Sequence, residues 1–416
     1  MSRIRIKNFG PIKGGYQEND GWIDINKVTV LIGNQGSGKS TIAKLFSTLS
    51  WIEKALVRGD YNSKWFTQRK RFQNVYCKYH RLENYFSDSN SDYQTEIEYQ
   101  GEAYHIAYKA GNLTVNENKT GKYLLPQIMY VPAERNFIST VRKPDVLKFS
   151  SESLVEFVTE FDNAKNQMRG NLSLPINNVD IEYDKLNDII NIKGEGYKIR
   201  LTESSSGYQS LVPLYLVSRY LANRIESRTR GGTYDKEESM SSFELKRFSE
   251  AITNLFQDAN LTDEQKRVAL SAISKRFNKR CFINIVEEPE QNLFPTSQQK
   301  ILNSLLEFNN MDEANKLIMT THSPYLINYL TLSVKANMLA EMIKTEKNLK
   351  LLNEIVPLLS TVKPIDLIIY ELDEKEGSIK KLEAYNGLPS DENELNERLG
   401  DGNELFAQLL EIQQNL

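Results

Sequence analysis

The chain has 416 residues, 40% of them hydrophobic, and a formal net charge of -3. That length allows two or three lobes around a large core, and the charge balance excludes nucleic-acid binding driven by overall charge, so any such binding must come from a local patch. Two distant cysteines, Cys77 and Cys281, exclude a disulfide framework and a Cys-based zinc site, and the three histidines His80, His105 and His322 are equally scattered. The start has no apolar leader core, and no run approaches the roughly 18 apolar residues of a membrane span. A soluble cytoplasmic protein without membrane contact is therefore expected.

In chain order, alternation predicts a strand over 3–7 and a second over 22–25. The apolar, β-branched run Val28, Val30, Ile32 then enters GNQGSGKS, and a helix-forming run leaves it at Ile42. This is the strand, loop, helix order of a P-loop. Gly33, Gly36 and Gly38 permit the sharp turn, and Asn34, Gln35 and Ser37 complete a loop whose N–H groups face phosphate oxygens. The following helix adds its positive N-terminal end. Lys39 reaches the β- and γ-phosphates, and Ser40, with Thr41 beside it, completes a Mg²⁺ shell. ATP with Mg²⁺ is the implied ligand pair.

Residues 64–81 mix Arg69, Lys70, Arg71, Lys78 and Arg81 with Trp65, Phe66, Phe72, Tyr76 and Tyr79. The pattern suits either an amphipathic helix with a solvated basic face or a surface binding DNA or RNA, with cations for phosphates and rings for bases. Antiparallel strands with turns at Gly101 and Ala110-Gly111 are expected over 95–116, a strand over 128–131, a helix within 150–169 and hairpins around Gly194 and Gly196. LTESSSGYQS precedes an apolar helix over 211–225, so hydroxyl and backbone donors gather at a helix start, a second place for a phosphate. Residues 228–279 read as a polar helical lid or connector with a Gly231-Gly232 loop. The buried-strand run 281–286 ends in Glu287 and Glu288, which places acids where a metal site opposite a P-loop needs them. Glu287 suits the metal and Glu288 the attacking water. After a helix near 298–308 and a strand over 316–319 comes His322, placed to meet a γ-phosphate. A strand over 365–372, a partner over 378–384 and an acidic helix over 393–414 close the chain.

Together GNQGSGKS, SSSGYQS, FINIVEEPE, NLFP and TTHSP resemble the Walker A, signature, Walker B, D-loop and switch-histidine motifs of the ABC-type ATPases of the Rad50, RecF and OLD group. IKNFGPI, EEPEQNLFP and THSPYLIN are most similar to the stand-alone members of anti-phage systems such as Septu and the retron-associated ATPases. The resemblance implies an α/β fold, an ABC-type P-loop ATPase head with an antiparallel β-lobe and a helical insertion. Its parts would be residues 1–135 and 281–416 for the head and 136–280 for an inserted lobe carrying the signature at 204–210. It further implies ATP hydrolysis with Glu288 and His322 catalytic, Ser40 and Glu287 on the metal, and Ser206, Gly207 and Gln209 covering a partner subunit's nucleotide. Three departures stand out: Glu287 where transporters have Asp, Tyr208 for the second signature glycine, and Phe294 where many OLD-type sequences have His. The family's Q-loop glutamine falls near 133–135, where no Gln stands; Gln127 is slightly early.

The function expected is that of a dimerising sensor or regulatory scaffold for a separate effector, a nuclease, in anti-phage defence. Alternatives are a repair-type ATPase clamping DNA and a nucleotide-gated assembly module with little turnover. A nuclease activity of its own is not expected, since Glu371 and Asp373 alone do not make a Toprim acidic cluster and the histidines lack metal-ligand spacing.

Overall fold

The computed structural model describes residues 2–87, 93–118, 123–141, 151–229, 242–257, 266, 269–270, 273 and 278–414. From the amino end come β1 (Ser2–Lys7), β2 (Gly15–Tyr16), β3 (Ile23–Ile25), β4 (Val28–Gly33), α1 (Lys39–Arg58) and the short α2 (Ser63–Phe66). Then follow β5 (Glu96–Gln100), β6 (Tyr104–Lys109), β7 (Asn112–Glu117), β8 (Pro126–Val131), α3 (Asn136–Thr140) and α4 (Glu152–Asn166). Next are β9 (Leu172–Ser173), β10 (Asp180–Asp184), β11 (Ile189–Gly194), β12 (Tyr197–Arg200), α5 (Ser206–Thr229) and α6 (Ser242–Gln257). The chain closes through β13 (Cys281–Glu287), β14 (Lys316–Thr320), β15 (Leu367–Leu372) and β16 (Ser378–Lys381), with helices Pro295–Asn310, Pro324–Met342 and Glu394–Gln414 around them.

A seven-stranded sheet in the order β2-β16-β15-β4-β14-β13-β8 is the frame. Its central strands β15, β4, β14, β13 and β8 run parallel. Both faces of these strands are covered, which is why they read as unbroken apolar runs; β4, β8 and β13 are buried at every position. One face carries Leu31, Tyr130, Ile285, Ile318 and Tyr370 into a core shared with α1 and a five-stranded antiparallel sheet. The other carries Val30, Ile32, Val131, Val286 and Met319 against α4, α5 and the helices Pro295–Asn310 and Pro324–Met342. At about 1.5–3 kcal/mol for each fully buried aliphatic side chain, these two layers dominate the stability of the frame.

The register fixes where the loops emerge. Thr320 pairs with Leu31 and Glu287 with Thr320, so the carboxyl ends of β4, β13 and β14 finish on one edge. Strand order there jumps between early and late strands, the crevice where open α/β sheets bind ligands. The turn between β6 and β7 uses left-handed Ala110 (φ 49°) and Gly111 (φ 79°), as the sequence suggests. A four-stranded sheet β12-β11-β10-β9 follows. Gly196 (φ 78°) turns the β11-β12 hairpin. No glycine turns the β10-β11 hairpin: Asp184 Oδ1 accepts from the Leu186 N–H and Asp188 takes φ 52°.

Residues 64–81 depart from the expected amphipathic helix. Helix α2 ends after one turn, Lys70 sits at φ 59°, and a π-helical turn occupies Phe72–Cys77. The physical cause is aromatic packing: Phe66 and Phe72 are buried, and Trp65 Nε1 donates to the Tyr76 hydroxyl at 2.9 Å. Helix α5 starts at Ser206, five residues before the expected apolar run. Of the expected lid, α6 is described, while Gly231 and Gly232 lie outside the described residues.

Candidate active site

The P-loop follows from backbone geometry. Gly33 leaves β4 at φ 134°, where a Cβ would come within 2.3 Å of the Leu372 carbonyl oxygen. Gly38 caps α1 at φ 105°, a conformation open to glycine at little strain. Between them Asn34, Gln35 and Gly36 are exposed, and the Asn34 side chain braces the loop by accepting from the Gln35 N–H at 2.7 Å and donating to Glu374 at 3.0 Å. Lys39 is buried and folds back, donating to the carbonyls of Gly33 (2.8 Å) and Asn34 (2.7 Å). Burial pulls its ammonium down to about 8, against the opposing pull of Glu288 and Glu290. A phosphate would supply the missing counter-charge. Ser40 is half-buried beside it, and among the described residues the buried Ser37 hydroxyl has no hydrogen-bond partner.

The acids arrive from β13. Glu287 is its last residue and is buried; its Oε2 accepts the Ala133 N–H at 3.2 Å, while Oε1 pairs with Lys44 Nζ at 3.9 Å. Glu288 adopts φ 44°, a left-handed turn that costs a residue with a side chain about 1–2 kcal/mol. Its Oε1 lies 3.3 Å from His322 Nε2, and His322 Nδ1 lies 3.5 Å from Lys39 Nζ. A chain of polar contacts therefore joins the P-loop lysine, the histidine and the acid. Hydrogen bonding to His322, then the charges of His322, Arg135 and Lys39, hold the Glu288 carboxyl below its ordinary range and keep it ionised. That state suits orienting or deprotonating a water.

Two further residues shape this site, and sequence reasoning missed both. Arg135 is fully buried and donates to the carbonyls of Glu287 (2.7 Å), Glu288 (2.6 Å), Ser210 (3.1 Å) and Pro132 (3.3 Å). One guanidinium thus ties the end of β8, both acids and the start of α5 together. Glu290 Oε1 accepts from the Thr321 hydroxyl (2.7 Å) and the His322 N–H (2.8 Å), fixing the turn that presents His322; burial raises its carboxyl. The signal for Arg135 was its place at the Q-loop position, where only a glutamine was sought. Gln127 does not take that role: it pairs with Phe282 near the amino end of β13, whereas Val131 pairs with Val286.

Among the described residues, no hydrogen bond joins Ser206, Gly207 or Gln209 to the P-loop of the same chain. Ser206 is exposed at the start of α5. A Cβ on Gly207 would lie 3.0 Å from the Asn292 carbonyl, so this glycine permits a close approach to the loop after the acids. The Gln209 side chain donates to the Ser204 carbonyl at 3.0 Å. Tyr208, in place of the second signature glycine, accepts from Asn177 at 3.0 Å. Glu371 pairs with Lys380 at 3.0 Å, and Asp373 caps the turn at Lys375 and Glu376. Among the described residues no group of three or more His, Cys, Asp or Glu is placed to hold a metal. The Glu287 carboxylate with the Ser40 hydroxyl still fits Mg²⁺, a hard ion that keeps waters and phosphate oxygens and needs few protein ligands. Among the described residues, no helix is long and apolar enough to cross a membrane.

Residues 261–327 match a family model described as an AAA ATPase domain; the matched stretch contains β13, both acids and His322. No curated protein matches the chain. Among solved structures, the chain is similar to the SMC head domain from Thermotoga maritima (11% identity, 92% of this chain and 98% of that one, TM-score 0.38). It is also similar to an Smc head domain with an extended coiled coil bound to the C-terminal domain of ScpA derived from Pyrococcus furiosus (11%, 92% and 96%, 0.35). A third likeness is the dimeric post-hydrolysis state of the ATP-binding cassette MJ0796 bound to ADP and Pi (12%, 92% and 100%, 0.26). The family match covers residues 261–327 of the 416, and the glycine-lined loop after β4 lies outside it.

Proposed function

We propose that the chain binds and hydrolyses ATP, closes into a dimer around two nucleotides, and uses that cycle as a sensor or regulatory scaffold for a separate nuclease effector in anti-phage defence. The observation that carries the ATPase reading is the contact chain Lys39, His322, Glu288 laid across the P-loop, with the Glu287 carboxylate beside it. Lys39 releases its two carbonyls to meet the β- and γ-phosphates, and His322 contacts the γ-phosphate. Glu288 orients the attacking water and takes its proton. Ser40 and Glu287 hold Mg²⁺, which neutralises charge on the phosphates. Exposed Ser206 and close-packed Gly207 serve the nucleotide of a second subunit, so the dimer lasts while the γ-phosphate does.

The effector role is supported by the resemblance of EEPEQNLFP and THSPYLIN to stand-alone defence ATPases. Co-expression with its genomic neighbour, followed by mass measurement with and without ATP, tests it: a complex altered by ATP is expected, and an ATP-dependent dimer that ignores the neighbour overturns it. A second reading, a DNA clamp, is favoured by exposed Arg69 and Lys70 beside Arg71. Neutralising all three would then flatten the salt dependence of DNA binding by about one phosphate contact per charge.

A further inference from the structure

Helix α1 carries a lysine one turn beyond the serine proposed for the metal. Ser40 and Lys44 stand four residues apart, on the same face of α1. Helical side chains lean toward the amino end of their helix, so the Lys44 ammonium is carried back toward the P-loop, and its Nζ comes to 3.9 Å from Glu287 Oε1. Both groups are largely out of solvent: 19% of the Lys44 side chain and 4% of the Glu287 side chain are exposed. Among the described residues, the other contacts of this carboxylate are neutral. Its second oxygen accepts the Ala133 N–H at 3.2 Å, and the buried Tyr130 hydroxyl stands beside it. The nearby Arg135 guanidinium is spent on backbone carbonyls. A carboxylate buried among neutral groups alone is costly, so Lys44 supplies the balancing charge.

We propose that Lys44 is the stand-in cation of the metal site: it holds the Glu287 carboxylate in the nucleotide-free chain, gives it up when Mg²⁺ arrives with the triphosphate, and so sets how strongly nucleotide binding depends on metal. The inference rests on the assignment of Glu287 to the metal. Two cations do not share one buried carboxylate without repulsion, because the low local dielectric that strengthens each ion pair strengthens the repulsion between the cations as well. A divalent ion arriving alone has to displace Lys44 before it gains the acid, whereas a triphosphate brings the extra oxygens and negative charge that offset the loss. The displaced ammonium keeps an acid within reach. Glu134 follows Ala133 in the chain, feels the Lys44 charge, and is paired with Arg81.

The test reads the metal dependence of nucleotide binding rather than turnover. The full chain and its variants are titrated with a fluorescent, non-hydrolysable ATP analogue, once in EDTA and once in saturating Mg²⁺, and the ratio of the two dissociation constants measures the coupling. Lys44→Met is expected to raise that ratio about tenfold or more, by removing a like charge from the metal's side of the acid. Lys44→Gln, a second neutral variant, should do the same, and Lys44→Arg, which restores the charge, should return the ratio close to the wild-type value. A role confined to folding would move both constants together and leave the ratio alone. Glu287→Gln is expected to lower it. A ratio unchanged or lowered in both neutral variants, while Glu287→Gln does lower it, overturns the role of Lys44 and leaves Glu287 on the metal. A ratio that Glu287→Gln leaves in place removes the acid from the metal and the inference with it.

Discussion

Arg135 gives the sharpest handle on how the site is held together. Its guanidinium is fully buried and donates to four backbone carbonyls, two of them those of Glu287 and Glu288. Hydrogen bonds from a charged donor contribute about 1.5–3 kcal/mol each. Against them stands desolvation, which draws Arg135 from 12.5 down to about 10, a penalty on the order of 3 kcal/mol. The bonds outweigh the penalty, and removing the cation leaves buried carbonyls behind. Arg135→Met should therefore lose about 3–5 kcal/mol of unfolding free energy in a urea titration. Arg135→Lys keeps the charge but has no planar fork, so it should lose about half as much and remain folded. In that folded variant kcat should fall with little change in ATP affinity, because the displaced carbonyls belong to the two acids. A loss under about 1 kcal/mol for Arg135→Met, with turnover intact, would refute the clamp.

Other consequences follow from the same geometry. Glu288→Gln should bind ATP normally and lose about 10²–10⁴-fold in phosphate release, the usual share of a general base; turnover within threefold of wild type would remove Glu288 from the chemistry. Lys39 titrates near 8 when folded and near 10.5 when unfolded, so between those values the unfolded state binds more protons and nucleotide-free stability rises with pH. The gain approaches about 3 kcal/mol and should be missing from Lys39→Met; parallel stability curves for the two proteins from pH 7.5 to 10 would rule it out. Gly33→Ala forces a Cβ to 2.3 Å from the Leu372 carbonyl at φ 134°. A loss of at least about 2 kcal/mol, with ATP binding abolished, is expected by thermal melting and calorimetry; a stable, ATP-binding variant would show that the loop relaxes freely.

What was legible in the sequence was what is contiguous. The P-loop is one strand, one turn and one helix start within 28–44, and the acids of β13 directly end an apolar run, so local chemistry sufficed. Arg135 was opaque because its partners lie at 132, 210, 287 and 288, brought together only by the pairing of β8 with β13 and the docking of α5. Glu290 was hidden similarly, behind contacts to a different strand end. Segment 64–81 misled because its rings mark helix periodicity and aromatic clustering equally well; a left-handed Lys70 and a π-helical turn decide between them, and neither has a one-residue signature. The turn at 185–188 was missed because Asp184 and Asp188 do there what glycine does elsewhere.

The most direct test is the mass of purified Glu288→Gln in solution, with and without saturating ATP and Mg²⁺. Nucleotide should convert it to a stable dimer that Ser206→Arg prevents without loss of ATP binding. A mass unmoved by ATP, in a protein shown to have bound it, would contradict closure of two subunits around the nucleotide.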